Sequence, residues 1–146
     1  MIEKVLIIMD PIESINIKKD TTYQLILSAQ EIGHEVYYLI PGSLAVKNLK
    51  PKAQIGKLKI NKDTSPFFEI SDIEELNLDT FNYVLMRKDP PVDNNYIYMT
   101  YILDLIDKKN TKVINSGFTL RNQNEKLITL NFPNYIPESI LTRKKE

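Results

Sequence analysis

Residues Val5-Leu6-Ile7-Ile8-Met9 form an unbroken apolar, β-rich run that ends sharply at Asp10-Pro11. Such a run fits a strand covered on both faces, and that environment exists at the centre of a parallel sheet. The rest of the chain then has to supply helices for both faces and further strands on either side. It has the material to do so. Asp20-Thr21-Thr22 offers helix N-cap chemistry, Leu25, Ile26, Ala29 and Ile32 form an apolar face, and Gly33 is a natural stop. Val36 to Ile40 reads as the second strand, closed by Pro41-Gly42, which completes a βαβ unit.

The rhythm breaks over residues 43–80. Lys57-Leu58-Lys59-Ile60 and Phe67-Phe68-Glu69-Ile70 alternate, which predicts short antiparallel strands or a hairpin in an exposed excursion. Tyr83-Val84-Leu85-Met86 resumes the main sheet and stops at Arg87-Lys88-Asp89-Pro90-Pro91. A helix follows, with Ile97/Tyr98, Tyr101/Ile102 and Leu105/Ile106 repeating and Lys108-Lys109-Asn110 at its end. Lys112-Val113-Ile114 is the next strand, and a helix capped by Thr119 runs to about Phe132, turning Leu120, Leu127, Ile128 and Leu130 inward. Ile140 to Thr142 reads as a last strand or the start of a linker. The fold class is therefore α/β, an open, mostly parallel Rossmann-like sheet with flanking helices and a short antiparallel excursion.

Composition narrows the function. With 146 residues the chain suits one domain, and 42% hydrophobic content fits a folded one. Lys plus Arg and Asp plus Glu both number 19, so no basic excess invites nucleic acid. The absence of cysteine rules out thiol catalysis and thiolate metal sites. No stretch approaches the roughly 18 apolar residues of a membrane span, and the first apolar run is too short for a signal peptide, so a cytoplasmic protein is expected. The four glycines, Gly33, Gly42, Gly56 and Gly117, cannot build a phosphate-gripping glycine loop, which argues against a generic nucleotide binder. His34 is the sole histidine and reads as a surface residue at a helix–strand junction.

In open α/β sheets, ligands sit beyond the carboxyl ends of the strands. That singles out Asp10, Arg87, Asp89 and Asn115, which follow three strands, as one polar crevice. The loop from Asp10 to Asp20 is too long for a plain turn; its Ser14, Asn16 and two lysines could face an anionic ligand, or it could be an ordinary surface loop. Arg87 and Lys88 directly after a buried strand need partners or a site. Arg87 has the fork to grip a carboxylate, with Asp89 to orient it; the competing reading is an internal Arg87–Asp89 pair. Tyr96, Tyr98 and Tyr101 read as core, and Arg121 to Lys126 as a solvated helix face.

Taken in order, Met9-Asp10-Pro11-Ile12, Ile15 to Asp20, His34 to Tyr38, Leu85 to Pro91, Tyr96-Ile97-Tyr98 and Leu120-Arg121 with Asn124-Glu125-Lys126 resemble the amino-terminal pattern of the prokaryotic glutathione synthetases, members of the ATP-grasp ligases. Leu141-Thr142-Arg143 resembles the entrance to that family's next domain. The chain departs from the family pattern at Ser116-Gly117, at Asn122 and across Leu127 to Phe132.

The resemblance implies that residues 1–146 are the domain preceding the ATP-grasp domain, which is expected to be missing from this chain. It implies an enzyme that joins γ-glutamylcysteine to glycine: ATP with magnesium phosphorylates the dipeptide carboxylate, and the glycine amine displaces phosphate. It implies substrate contacts from Asp10, Ser14, Asn16, Arg87, Asp89 and Asn115, and an approach of Lys126 to the ATP phosphates. ATP and magnesium would be held mainly by the missing domain, with no metal ligand, catalytic residue or tightly bound cofactor here. The isolated chain is expected to be inactive, and the full-length enzyme a homo-oligomer. The alternative is a stand-alone binding or interaction module that kept the fold and lost catalysis.

Overall fold

The computed structural model describes residues 1–142 and Lys144. Its centre is β1 (Lys4–Ile8), as the apolar run requires. Val5 and Ile7 are buried in one cluster with Tyr23, Ile26, Val36 and Leu58. Leu6 and Ile8 are buried in another, on the opposite face, with Leu39, Ile55, Val84, Met86 and Leu103. Side chains alternate across a strand, so a run buried at every position needs a core on each side.

Around β1 stand β2 (Glu35–Leu39), β3 (Ala45–Lys47), β4 (Lys50–Ile60), β5 (Phe68–Asn77), β6 (Tyr83–Met86) and β7 (Lys112–Ile114). The sheet order is β3-β4-β2-β1-β6-β7, with β5 paired to β4. β2, β1, β6 and β7 are mutually parallel. Helix α1 (Thr21–Glu31) joins β1 to β2 and belongs to the first cluster. Helix α2 (Asn94–Leu103) joins β6 to β7 and belongs to the second.

The excursion is antiparallel, as alternation predicted, but β4 and β5 run 11 and 10 residues rather than being short. They also extend the main sheet, because β4 pairs with β2 from Tyr37↔Lys57 to Leu39↔Ile55. The reason lies in the two-sided burial of β4. Ala53, Ile55, Leu58 and Ile60 are all buried, and the register shift between Ile55 and Lys57 lets one strand serve both clusters.

Several helix details differ from expectation. In α1 the buried residues are Thr22, Tyr23, Ile26 and Leu27, whereas Leu25 and Ile32 are 46% and 70% exposed. The i, i+3, i+4 stripe is present but begins a turn earlier, at Thr22 and Tyr23, where a polar hydroxyl disguises it. α2 ends at Leu103, well before Lys108, and only Tyr96 of its three tyrosines is buried. The expected helix to Phe132 is instead a six-residue α3 (Gly117–Asn122) followed by 3-10 turns at Leu127–Asn131 and Pro133–Tyr135. Ser116, not Thr119, is the cap: its hydroxyl accepts the Thr119 N–H at 3.2 Å. The Asn124 side chain then accepts the N–H groups of Lys126 and Leu127 at 2.9 and 3.0 Å, a local alternative to helix continuation. Leu127 and Leu130 are consequently exposed. No strand forms at Ile140 to Thr142; the expectation for Arg143, Lys145 and Glu146 lies outside the described residues.

Candidate functional site

The crossover from β1 goes to one face and the crossover from β6 to the other, so the chain parts between the carboxyl ends of two neighbouring strands. Such a topological switch point opens a crevice. Here the crevice is a cleft of about 450 Å³. Asp10 comes from the end of β1 and Arg87 and Asp89 from the end of β6, with Ser14 and Asn16 from the loop between β1 and α1. These five were expected from the sequence. Ile15, Lys19, Asp20, Thr21 and Thr22 complete the lining.

The loop is folded on itself. Ile12 to Ser14 make a 3-10 turn, and Ser14 donates its hydroxyl to the Pro11 carbonyl at 2.6 Å. The Asn16 carbonyl accepts the N–H groups of Lys19 and Asp20, and its side chain accepts that of Lys18 at 3.1 Å. Ile12 is fully buried, and the Tyr38 hydroxyl accepts its N–H at 3.3 Å. Burial pushes the Tyr38 hydroxyl up to about 12, so it stays protonated at any physiological pH. Asp20 ends the loop by accepting the N–H groups of Thr22 and Tyr23 at 2.7 and 3.0 Å. The amino terminus of α1 therefore spends two of its free donors on its own aspartate rather than on a ligand.

Asp10 ties the two strand ends together. One carboxylate oxygen pairs with the Lys88 ammonium, and the other accepts the Asp89 N–H at 2.9 Å. Burial pushes its carboxyl up, but the Lys88 and Asp89 hydrogen bonds and the Lys88 charge together hold it below its ordinary 3.8. A depressed carboxyl stabilises the fold above its unfolded value and loses that contribution as pH falls through the folded one. Asp10→Asn should therefore lower the melting temperature at about pH 7, and the gap to wild type should narrow at about pH 3. An equal gap at both values would show that the ionised carboxylate contributes nothing.

Arg87 is held differently from expectation. Its Nε donates to the Thr22 hydroxyl at 3.1 Å and its Nη2 to the Thr21 hydroxyl at 2.8 Å. Among the described residues it forms no ion pair, so Asp89 neither orients nor neutralises it. Two neutral acceptors fix the plane of the guanidinium and leave its charge uncompensated. In the sequence the two threonines signal only cap chemistry; a hydroxyl pair opening a helix gives no sign that it also reaches sideways to a neighbouring strand end.

Two expected residues stand outside the cleft. Asn115 lies at the same carboxyl edge, in a left-handed conformation (φ 55°), and donates its amide to the Met86 carbonyl at 2.9 Å. Lys126 sits beyond α3 with its side chain 74% exposed and paired to the adjacent Glu125. Arg121 is not on a solvated face: its guanidinium pairs with Asp104 and lies 4.2 Å over the Tyr101 ring. His34 fits its junction reading, accepting the Glu3 N–H at 3.3 Å.

The lining carries three carboxylates, Asp10, Asp20 and Asp89, against two cations, Lys19 and Arg87. These residues do not fit ATP with magnesium. The phosphates would face carboxylates and a helix terminus already capped by its own aspartate. Among the described residues no group of three or more His, Cys, Asp or Glu is placed to hold a metal ion. Nor is any described helix long and apolar enough to cross a membrane.

The model of the family described as "Prokaryotic glutathione synthetase, N-terminal domain" matches residues 4–121. The chain is 40% identical over 137 residues to the glutathione synthetase of Shewanella oneidensis, covering 94% of this chain and 44% of that protein. It is 41% identical over 142 residues to that of Coxiella burnetii (97% and 44%), and 41% over 140 residues to that of Yersinia pestis (96% and 44%). It thus spans 44% of the length of these curated relatives. The match over residues 4–121, which spans every strand of the sheet, together with about 40% identity to these synthetases, places the chain in the prokaryotic glutathione synthetase N-terminal domain family.

Proposed function

We propose that this chain is the substrate-side domain of a cytoplasmic glutathione synthetase, and that its cleft holds γ-glutamylcysteine while ATP and magnesium are handled elsewhere in the enzyme. The observation that carries this reading is the Arg87 guanidinium, clamped by Thr21 and Thr22 and left without a countercharge at the switch point. A guanidinium so placed is suited to a carboxylate, and the dipeptide has two. The excess of carboxylates in the lining disfavours a nucleotide. Activation of the dipeptide carboxylate by phosphorylation and its capture by glycine then belong to groups outside this cleft. Lys126, beyond α3, is paired only with the equally exposed Glu125 and can exchange that partner for a phosphate from another domain. Asn115 acts by shaping the edge through its bond to Met86 rather than by touching substrate.

Calorimetric titration of the 146-residue chain tests the reading. Saturable binding of γ-glutamylcysteine is expected, and none of ATP. The chain supplied with glycine, γ-glutamylcysteine and Mg-ATP should form no glutathione. Tight ATP binding, or turnover by the chain itself, would refute the division of labour.

A further inference from the structure

The cleft offers a ligand more than one charge. Of its three carboxylates, Asp10 has both oxygens engaged, by Lys88 and the Asp89 N–H, and Asp20 is spent on capping α1. Asp89 alone forms no side-chain hydrogen bond or ion pair among the described residues, although its backbone is pinned by Asp10. Arg87, two residues earlier on the same loop, is the cation whose plane is fixed and whose charge is unspent. Lys19 of the lining is also unpaired among the described residues, but only Arg87 has its donors fixed in a plane, so the loop that Asp10 fastens to β1 presents one free carboxylate and one oriented guanidinium.

We infer that the cleft recognises the α-amino-acid head of its ligand, with the α-ammonium on Asp89 and the α-carboxylate on Arg87, and so grips the γ-glutamyl end of the dipeptide. This rests on the substrate reading above and adds the orientation. The cysteinyl carboxylate, which has to react, then points away from Arg87 and out of the cleft. That arrangement is chemically sensible: a carboxylate held in a guanidinium fork has its charge and lone pairs occupied and makes a poor nucleophile toward phosphorus. The excess of carboxylates in the lining also favours a zwitterion over an anion such as inorganic phosphate.

The test compares three ligands by calorimetry on wild type, Asp89→Asn and Arg87→Gln. The ligands are γ-glutamylcysteine, glutaryl-cysteine, which lacks the α-amine, and γ-aminobutyryl-cysteine, which lacks the α-carboxylate. Wild type should lose roughly tenfold or more in affinity for each truncated ligand, the size of one charge-assisted contact. Asp89→Asn should bind the dipeptide roughly tenfold more weakly and scarcely distinguish it from glutaryl-cysteine. Arg87→Gln should likewise cease to distinguish it from γ-aminobutyryl-cysteine. A merely structural role for either residue would weaken all three ligands alike and leave the discrimination intact. If the dipeptide binds but Asp89→Asn still rejects glutaryl-cysteine as strongly as wild type, the orientation is wrong and the substrate reading stands. If the dipeptide shows no saturable binding, the substrate reading falls and the inference with it.

Discussion

Alanine at Gly117 should destabilise the domain by about 3 kcal/mol or more, at the upper end of what overpacking costs. A Cβ at that position would lie 2.1 Å from the Thr100 carbonyl oxygen and 3.0 Å from a carboxylate oxygen of Asp104. The first obstacle is backbone of α2, so it cannot rotate aside as a side-chain tip would. Relief requires α3 to lift away from α2. That movement strips Arg121 from its pair with Asp104 and from the Tyr101 ring, and leaves a largely buried guanidinium to find water. At about 2–4 °C per kcal/mol for a chain of this size, the melting temperature should drop by about 6–12 °C. Gly33→Ala is the control. Gly33 has φ +87° but open space around it, so the cost there is the roughly 1–2 kcal/mol of forcing a side chain into the left-handed region. Urea denaturation of the two variants measures the difference. A Gly117→Ala cost no larger than that of Gly33→Ala would mean that α3 rides loosely on α2.

The parts of this fold that were legible in the sequence are those where one residue pattern has one physical solution. Five consecutive apolar residues from Val5 leave a strand with two buried faces, and the structure puts β1 between β2 and β6. Alternation between Lys57 and Ile60 leaves an antiparallel strand, but says nothing of its length. The residues that lengthen β4, from Lys50 to Gln54, include Pro51 and Gln54, which carry no strand signal and are recruited by pairing with β3 and β5. Beyond α3 the chain looks helical by its leucine spacing. The Asn124 side chain, by taking two backbone N–H groups, decides otherwise, and such local competition is invisible to periodicity.

The site divides along the same line. Parallel strands share a carboxyl edge, so Asp10, Arg87 and Asp89 had to converge once β1 and β6 were identified, and they line one cleft. Asn115 follows a parallel strand too, but β7 lies one strand further from the switch point, and its amide is consumed by Met86. Which partner each charge would choose was not legible. Sequence proximity suggested Arg87 with Asp89, whereas the structure pairs Lys88 with Asp10 across β1 and β6 and gives Arg87 to two threonines of α1. The adjacent strand end supplies Lys88 with the Asp10 carboxylate, a partner that chain order does not reveal.

That exchange of partners changes what loss of Arg87 should do. Had it been paired with a buried carboxylate, Arg87→Ala would strand a charge and melt the domain. Its partners are hydroxyls that water entering the open cleft can satisfy, so the stability cost should stay near 1–2 kcal/mol. Affinity should suffer more. On the proposed substrate reading, one charge-assisted contact to a carboxylate contributes about 1.5–3 kcal/mol, or on the order of 10–100-fold in the dissociation constant for γ-glutamylcysteine. Arg87→Lys should recover little of it, because a single ammonium cannot hold both threonine hydroxyls and still present two donors to the ligand. The threonines supply an independent check. Thr22→Val removes the acceptor for Nε and frees the guanidinium to swing, so it should weaken binding by several-fold while keeping the methyl packing of a buried side chain. Thr22→Ser keeps the acceptor and should bind close to wild type. Melting temperature and calorimetric affinity measured together on the four variants decide the matter. Unchanged affinity in Arg87→Ala, or a Thr22→Ser variant as weak as Thr22→Val, would remove the guanidinium from the binding machinery and leave it a strut between β6 and α1.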